Sequence, residues 1–324
     1  MRIEFTHTFE RIISVENLLH AWKGFLRGKR DKKDVQIFSL HLMDNILSLH
    51  TDLATRAYQH GEYESFFVND PKRRHIHKAC VRDRLVHHAV YRILYTLFDR
   101  RFISDSYSCR EEKGIHKAIN RFRDFSFSAS KNHTTTCWVL KCDIRKFFAS
   151  IDHRVLLDIL GRHLSDKDTM WLLEDIICSF PAGLPLGNLT SQLFSNIYMN
   201  VFDQWMKHSL KEKFYIRYAD DFVVLSPDKE YLLSLIQPIQ TFLFEDLHLD
   251  LHPKKLFIRT IASGVDFLGW VHFPDHRVLR TVTRRRMMRR IGEHPTNETI
   301  QSYLGLMSHG NAFRVRSVLL QKAL

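Results

Sequence analysis

Residues 215–225 read YIRYADDFVVL. Apolar residues alternate up to two adjacent aspartates, and an unbroken apolar run follows them. Alternation predicts a half-buried strand, and an unbroken run predicts a strand covered on both faces. The stretch therefore predicts a β-hairpin over 214–225 with Asp220 and Asp221 at its turn. Two carboxylates about 4 Å apart repel by roughly 4 kcal/mol at an effective dielectric near 20. Asp favours turns, so the pair has an ordinary explanation. It also has a chemical one, in which a cation offsets the repulsion.

A third acid ends another apolar strand. Residues 137–143, CWVLKCD, place Trp138, Leu140 and Cys142 on one face and Val139, Lys141 and Asp143 on the other. IRKFFASID follows. Three carboxylates at strand ends can share divalent cations. Mg2+ prefers oxygen ligands and is often held by one or two carboxylates plus substrate phosphates. Two such ions about 3.5–4 Å apart stabilise the attacking and leaving oxygens of phosphoryl transfer. Zinc fits less well, because no His/Cys cluster has tetrahedral-ligand spacing.

Around these strands, apolar spacing predicts helices over 15–27, 35–58, 84–97, 155–164 and 170–179. A further helix carries Phe194, Ile197, Tyr198, Val201, Phe202 and Trp205 as one stripe. Residues 66–79 predict two short strands around a basic turn at 71–74, residues 126–136 a polar loop, and residues 181–187 a breaker. A helix is expected over 232–247, strands over 256–260 and 265–273, and basic helix after Thr281. Helices and strands interleave without a βαβ repeat, which predicts an α+β fold.

The 324 residues include 48 Lys+Arg against 36 Asp+Glu, a formal net charge of +12 that favours a polyanionic partner. Five scattered cysteines without a C-x-x-C pair argue against a disulfide framework or structural zinc. No apolar h-region opens the chain and no run approaches a membrane span. The expectation is a soluble cytoplasmic protein without a membrane partner.

The order of segments around the acids resembles that of reverse transcriptases. YADD in an apolar hairpin resembles their catalytic box, and LKCDIRKFFASIDH the preceding metal box. GLPLGNLTSQLFSNIY stands at their Gly/Ser loop and helix, LHLDLHPKKLFI at the lysine box, and VDFLGW at the primer-grip hairpin. Upstream, PKRRHIHKACVRDRLVHHAVYRIL and FISDSYSCREEKGIHKAI resemble fingers segments. The resemblance implies a right-hand polymerase fold. It divides the chain into an N-terminal helical extension (1–60), fingers (61–136), palm (137–270, with helices in 153–180 and 190–210) and a short helical thumb (271–324).

It also implies a template RNA, a primer/cDNA duplex and dNTPs as partners. Two Mg2+ ions, with Mn2+ as substitute, would be held by Asp143, Asp220 and Asp221, of which Asp221 is the weaker ligand. Phe148 matches the steric gate that rejects a 2′-OH. Its neighbour Phe147 is expected to point into the core, on the premise that the two sit in a strand. Lys72 and Arg74 match the triphosphate-binding turn, Lys255 the lysine near the leaving pyrophosphate, and Gly187 a close backbone approach to substrate. Phe267, Leu268 and Gly269 match the primer grip. In TVTRRRMMRRIG, Arg284, Arg285, Arg286, Arg289 and Arg290 would track a duplex backbone, with Met287, Met288 and Ile291 facing inward.

LPLGNLTSQ narrows the resemblance. Group II intron and retroviral enzymes usually carry Gln where Leu186 stands, and Ser-Pro where Ser191–Gln192 stand. Leu186 and Gln192, with DRLVHHAV and SDSYSCREEKG, resemble the enzymes of diversity-generating retroelements. Those enzymes copy a template-repeat RNA with errors at adenines and work with a small basic pentameric accessory protein. Retron-like, group II-like and phage-defence enzymes are the alternatives, and a catalytically dead RNA-binding scaffold is the competing class. His87 and His88, adjacent on a helix, are read as packing or surface residues. SYLGLMSHGNAF (302–313) resembles the tail of the same subgroup without an assigned chemistry.

Overall fold

The structure is a computed structural model that describes residues 7–69, 72–313 and 316–317. Contacts divide the chain into two units. One takes the chain up to Ile103, then Ile144–Trp205 and Thr241–Asp250; the other takes Ser104–Asp143, Met206–Gln240 and the chain from Leu251 onward.

The first unit begins with helices α1 (Thr8–Ile13), α2 (Val15–Phe25), α3 (Lys33–Leu40) and α4 (Leu42–Ala54). A two-stranded antiparallel sheet follows, β1 (Glu64–Val68) with β2 (Arg74–Lys78), and then α5 (Val81–Phe98). The Ser14 hydroxyl caps α2 by accepting from the Asn17 amide. Leu18, Trp22 and Phe25 of α2 are buried, and α2 packs on α5. The single helix expected over 35–58 is two helices, broken at His41 (φ −120°, ψ 41°). The break turns Ile37, Leu40 and Met43 to solvent, while Ile46, Leu49 and Leu53 remain fully buried. No Pro or Gly marks it, so the three-four spacing runs through it unaltered. The later stretches of this unit form α7 (Phe147–Ser150), α8 (His153–Gly161), α9 (Lys167–Cys178) and α10 (Leu189–Gln204), with α10 packed on α5 and α8.

The second unit opens with α6 (Ile115–Ala129), which extends into residues expected to form a loop. Its serines bond to the helix itself rather than breaking it: Ser128 Oγ donates to Asp124 O at 2.9 Å and Ser130 Oγ to Ser126 O at 2.7 Å. A four-stranded antiparallel sheet is built from β3 (Trp138–Asp143), β4 (Tyr215–Tyr218), β5 (Asp221–Ser226) and β6 (Phe257–Thr260), in the order β4-β5-β3-β6. Val139, Ile216, Val223 and Leu225 from this sheet share a core with Phe122 and Phe125 of α6.

Between the strands lie α11 (Lys229–Ser234), capped by Asp228, and α12 (Ile236–Leu247), where the sequence predicted one helix from 232 to 247. A second sheet of β7 (Val265–Phe267), β8 (Trp270–His272) and β9 (Arg277–Leu279) replaces the single strand expected over 265–273. The chain folds back at Leu268 and Gly269, both with positive φ (51° and 85°). The chain continues into α13 (Thr281–Glu293) and α14 (Asn297–Met307). The tail stretch 302–313 has a packing role: Asn311 N donates to Arg277 O of β9 at 2.8 Å, and His309 stacks on His116 of α6 at 3.6 Å.

Candidate active site

The acids are brought together by strand register. In the β3–β5 ladder Asp143 is the direct partner of Asp221, and in the β4–β5 hairpin Asp221 is the partner of Tyr218. Ala219 and Asp220 form the two-residue turn. Ala219 sits at φ 55°, a left-handed conformation that costs an L-residue roughly 1–2 kcal/mol. Arg217 holds that turn. It is fully buried, donating from Nη1 to Ala219 O at 3.0 Å and from Nη2 to Ser106 Oγ at 3.1 Å. Its main chain is clamped between Asp105 O and Tyr107 N, each at 3.0 Å.

Burial, with the Asp143 and Asp221 charges adding to it, pushes the Asp220 carboxyl up to about 6. Burial also raises Asp221, against the opposing pull of Lys141. Two ammonium groups offset part of this charge. Lys255 Nζ lies 2.6 Å from Asp143 Oδ1, and Lys141 Nζ lies 3.2 Å from Asp221 Oδ1. Asp221 Oδ1 is itself buried and makes no hydrogen bond.

This all-oxygen donor set, crowded and under-compensated, has the chemistry that suits a hard divalent cation such as Mg2+ or Mn2+. Among the described residues no three His, Cys, Asp or Glu side chains form a closed ligand set. The two lysines draw Asp143 and Asp221 to themselves instead. Of the adjacent lysines in the lysine box, it is Lys255 that reaches Asp143, while Lys254 is exposed.

The hairpin carrying Phe267, Leu268 and Gly269 belongs to the same unit, with Phe267 fully buried. Helix α13 turns Met287 and Ile291 inward and leaves Arg284, Arg285, Arg289 and Arg290 exposed, with Arg286 and Met288 half-buried.

The remaining residues singled out in the sequence lie in the first unit. Lys72 and Arg74 are exposed at the β1–β2 turn, of which Pro71 lies outside the described residues. Phe147 is buried and Phe148 half-buried, as expected, but they occupy a helical turn, α7, and not a strand. Leu184 N donates to Phe148 O at 2.7 Å. Gly183 (φ +67°) allows that approach, since a Cβ there would lie 2.3 Å from Phe148 O. Leu186 O accepts from His77 N of β2 at 2.9 Å. Gly187 (φ +117°) passes so close to β2 that a Cβ would meet Ile76 Cγ2 at 2.8 Å. Gln192 is exposed on the first turn of α10, and His87 is buried against His60.

Sequence reasoning missed Arg217, Lys141 and Gly183. Arg217 and Lys141 stand at alternating positions that read as polar faces, and their burial depends on partners distant in sequence.

Residues 69–272 match the family model of reverse transcriptase (RNA-dependent DNA polymerase). The chain is similar to protein YkfC of Escherichia coli, 27% identical over 264 residues that cover 67% of this chain and 66% of YkfC. It is also similar to the group II intron-encoded protein LtrA of Lactococcus lactis, at 21% over 291 residues covering 67% of this chain and 47% of LtrA. The chain thus spans less than two thirds of either relative. Its fold resembles that of a telomerase from Candida albicans solved with a TWJ fragment of telomeric RNA, with TM-score 0.52 and 11% identity over 72% of this chain and 49% of that one. The helices and antiparallel sheets are those of the right-hand polymerase fold, and the chain belongs to the reverse transcriptase family.

Proposed function

We propose that the chain is an RNA-directed DNA polymerase that extends a primer on an RNA template. The observation that carries this reading is the ladder pairing of Asp143 with Asp221 beside Asp220, within a reverse transcriptase domain. Asp143 and Asp220 would hold two Mg2+ ions, with Asp221 contributing more weakly; such ions supply charge stabilisation to phosphoryl transfer. Lys255, paired with Asp143 in this structure, would give up that carboxylate and meet the departing diphosphate. Lys72 and Arg74 present charge-assisted donors suited to a triphosphate. Phe148, half-buried, offers a ring suited to rejecting a 2′-OH, and Leu268 and Gly269, at the tip of the hairpin whose core Phe267 fills, would hold the primer end. In this reading residues 61–136 are fingers, 137–270 palm, 271–324 thumb, and 1–60 an N-terminal extension.

The finer reading is a diversity-generating retroelement enzyme acting in the cytoplasm of a bacterial or phage-infected cell with a small basic accessory protein. Leu186 and the Ser191–Gln192 pair support it. The similarity to LtrA favours a second reading, a group II intron-like enzyme.

The test is primer extension on RNA with dNTPs and Mg2+, followed by sequencing of the cDNA. Wild-type extension that falls on the order of 10³-fold in Asp220→Asn, with RNA binding retained, is expected, a loss like that from removing one key electrostatic contact. RNA binding without any extension would instead favour a scaffold. Substitutions concentrated at template adenines are the retroelement outcome, and uniformly low error is the group II-like outcome.

A further inference from the structure

Lys141 sits in the central strand β3, two residues before Asp143 and on the same face, with only 7% of its surface exposed. Burying an ammonium costs several kcal/mol unless it is well paired. Its partners are specific. Nζ donates to the main-chain carbonyl of Asp266 at 3.0 Å and lies 3.2 Å from Asp221 Oδ1. Asp266 belongs to β7, one residue before Phe267, and its carboxylate pairs with Arg280, the residue that precedes α13. One side chain thus spans from the acid cluster to the hairpin, and Asp266 passes the link on to the basic helix.

We propose that Lys141 is a positioning residue that ties the aspartate cluster to the β7–β8 hairpin, setting the primer end relative to the acids. The proposal rests on the polymerase reading and deepens it. Two effects of opposite sign follow. As a tether, Lys141 holds the hairpin in place. As a cation beside Asp221, it lowers the cluster's net negative charge and so restrains its affinity for divalent ions. A lysine that only filled space would do neither.

Lys141→Met, close in length but uncharged, separates these roles from simple packing. Hydrogen exchange of the Val265–His272 amides is expected to rise about tenfold, the opening that follows loss of one hydrogen bond to a charged group. Exchange in the rest of the β3–β5 ladder is expected to stay near wild type. Mn2+ titrated into the nucleic-acid-free protein and read by electron paramagnetic resonance is expected to bind several-fold more tightly. In primer extension, kcat falls while the KM for dNTP holds.

Lys141→Gln keeps a polar head in the buried site, guards against misfolding, and is expected to tighten Mn2+ likewise. Unchanged hairpin exchange in folded Lys141→Met, or unchanged or weaker Mn2+ binding in both variants, overturns the proposal. Neither readout needs polymerisation. A wild-type protein that extends nothing would therefore sink the polymerase reading while leaving the exchange and Mn2+ results to judge the tether.

Discussion

At the residue scale, Arg217 and Leu186 show two ways in which one side chain can matter. Arg217 clamps a strained turn from beneath: it donates to Ala219 O while its own backbone is fixed by Asp105 and Tyr107. Arg217→Leu removes a buried charged donor and leaves Ala219 O without that partner. The expected cost is about 1.5–3 kcal/mol of stability, the range for losing a hydrogen bond from a charged donor to a buried acceptor. Thermal denaturation would measure it, and primer extension should fall with it. On the proposed reading Leu186 stands beside the nascent base pair, where it presents no side-chain hydrogen-bonding group and an amide in its place could bond. Leu186→Gln is therefore expected to lower misincorporation opposite template adenine, read by sequencing cDNA from the variant; an unchanged error spectrum would remove the idea. The three acids were legible in the sequence because each ends an apolar strand. Arg217 was not, because a charge at an alternating strand position reads as solvent-facing until residues 105–107 are folded over it.

At the scale of elements, helix α13 behaves as its spacing suggests. Met287 and Ile291 are buried, and Arg285 and Arg289, one turn apart, are exposed. If both touch phosphates, the double variant Arg285→Ala/Arg289→Ala should weaken template–primer binding. It should also reduce the slope of log K against log salt by nearly two, at about 0.9 for each phosphate that is no longer neutralised. Fluorescence anisotropy across a salt series measures both, and full-strength binding with an unaltered slope would assign the arginines to solvent. Periodicity identified this helix because its buried face is regular. It failed at His41, where a break without Pro or Gly preserves the apolar spacing, and at Leu235, where Pro238 lacks the amide that would bond to Ser234 O and so ends α11. It also missed β9, a strand of three residues, too short to show alternation.

Across the whole molecule, burial leaves several histidines neutral. His272 is driven down to about 3 by burial, reinforced by Arg277. His88 falls to about 4 through burial, Lys29 and Arg84, and His87 falls through burial first and the neighbouring His60 next. The unfolded chain binds these protons more readily than the folded one. The stability they confer is therefore fully present above about pH 6.5 and is lost as pH falls toward the folded values. At pH 5 the unfolded-state protonation of His272 alone costs about 2 kcal/mol. Asp220 acts in the opposite sense: raised to about 6, it favours the folded state at low pH and loses that contribution as pH rises through 6. Comparing wild type with His272→Gln isolates the histidine. The variant is expected to lose less of its melting temperature between pH 7.5 and pH 5, and parallel curves would contradict this.

The ladder that pairs Asp143 with Asp221 also has a consequence for synthesis. β3 is a central strand whose neighbours, β5 and β6, are both encoded later in the chain. During translation its backbone donors and acceptors lack their ladder partners until those strands emerge, although α6, encoded earlier, can already cover Val139. Non-local pairing of this kind is slow to form and exposed to aggregation. The acid cluster is thus completed late, and slowing translation after Asp143 is expected to raise the fraction of insoluble product more than slowing it before α6.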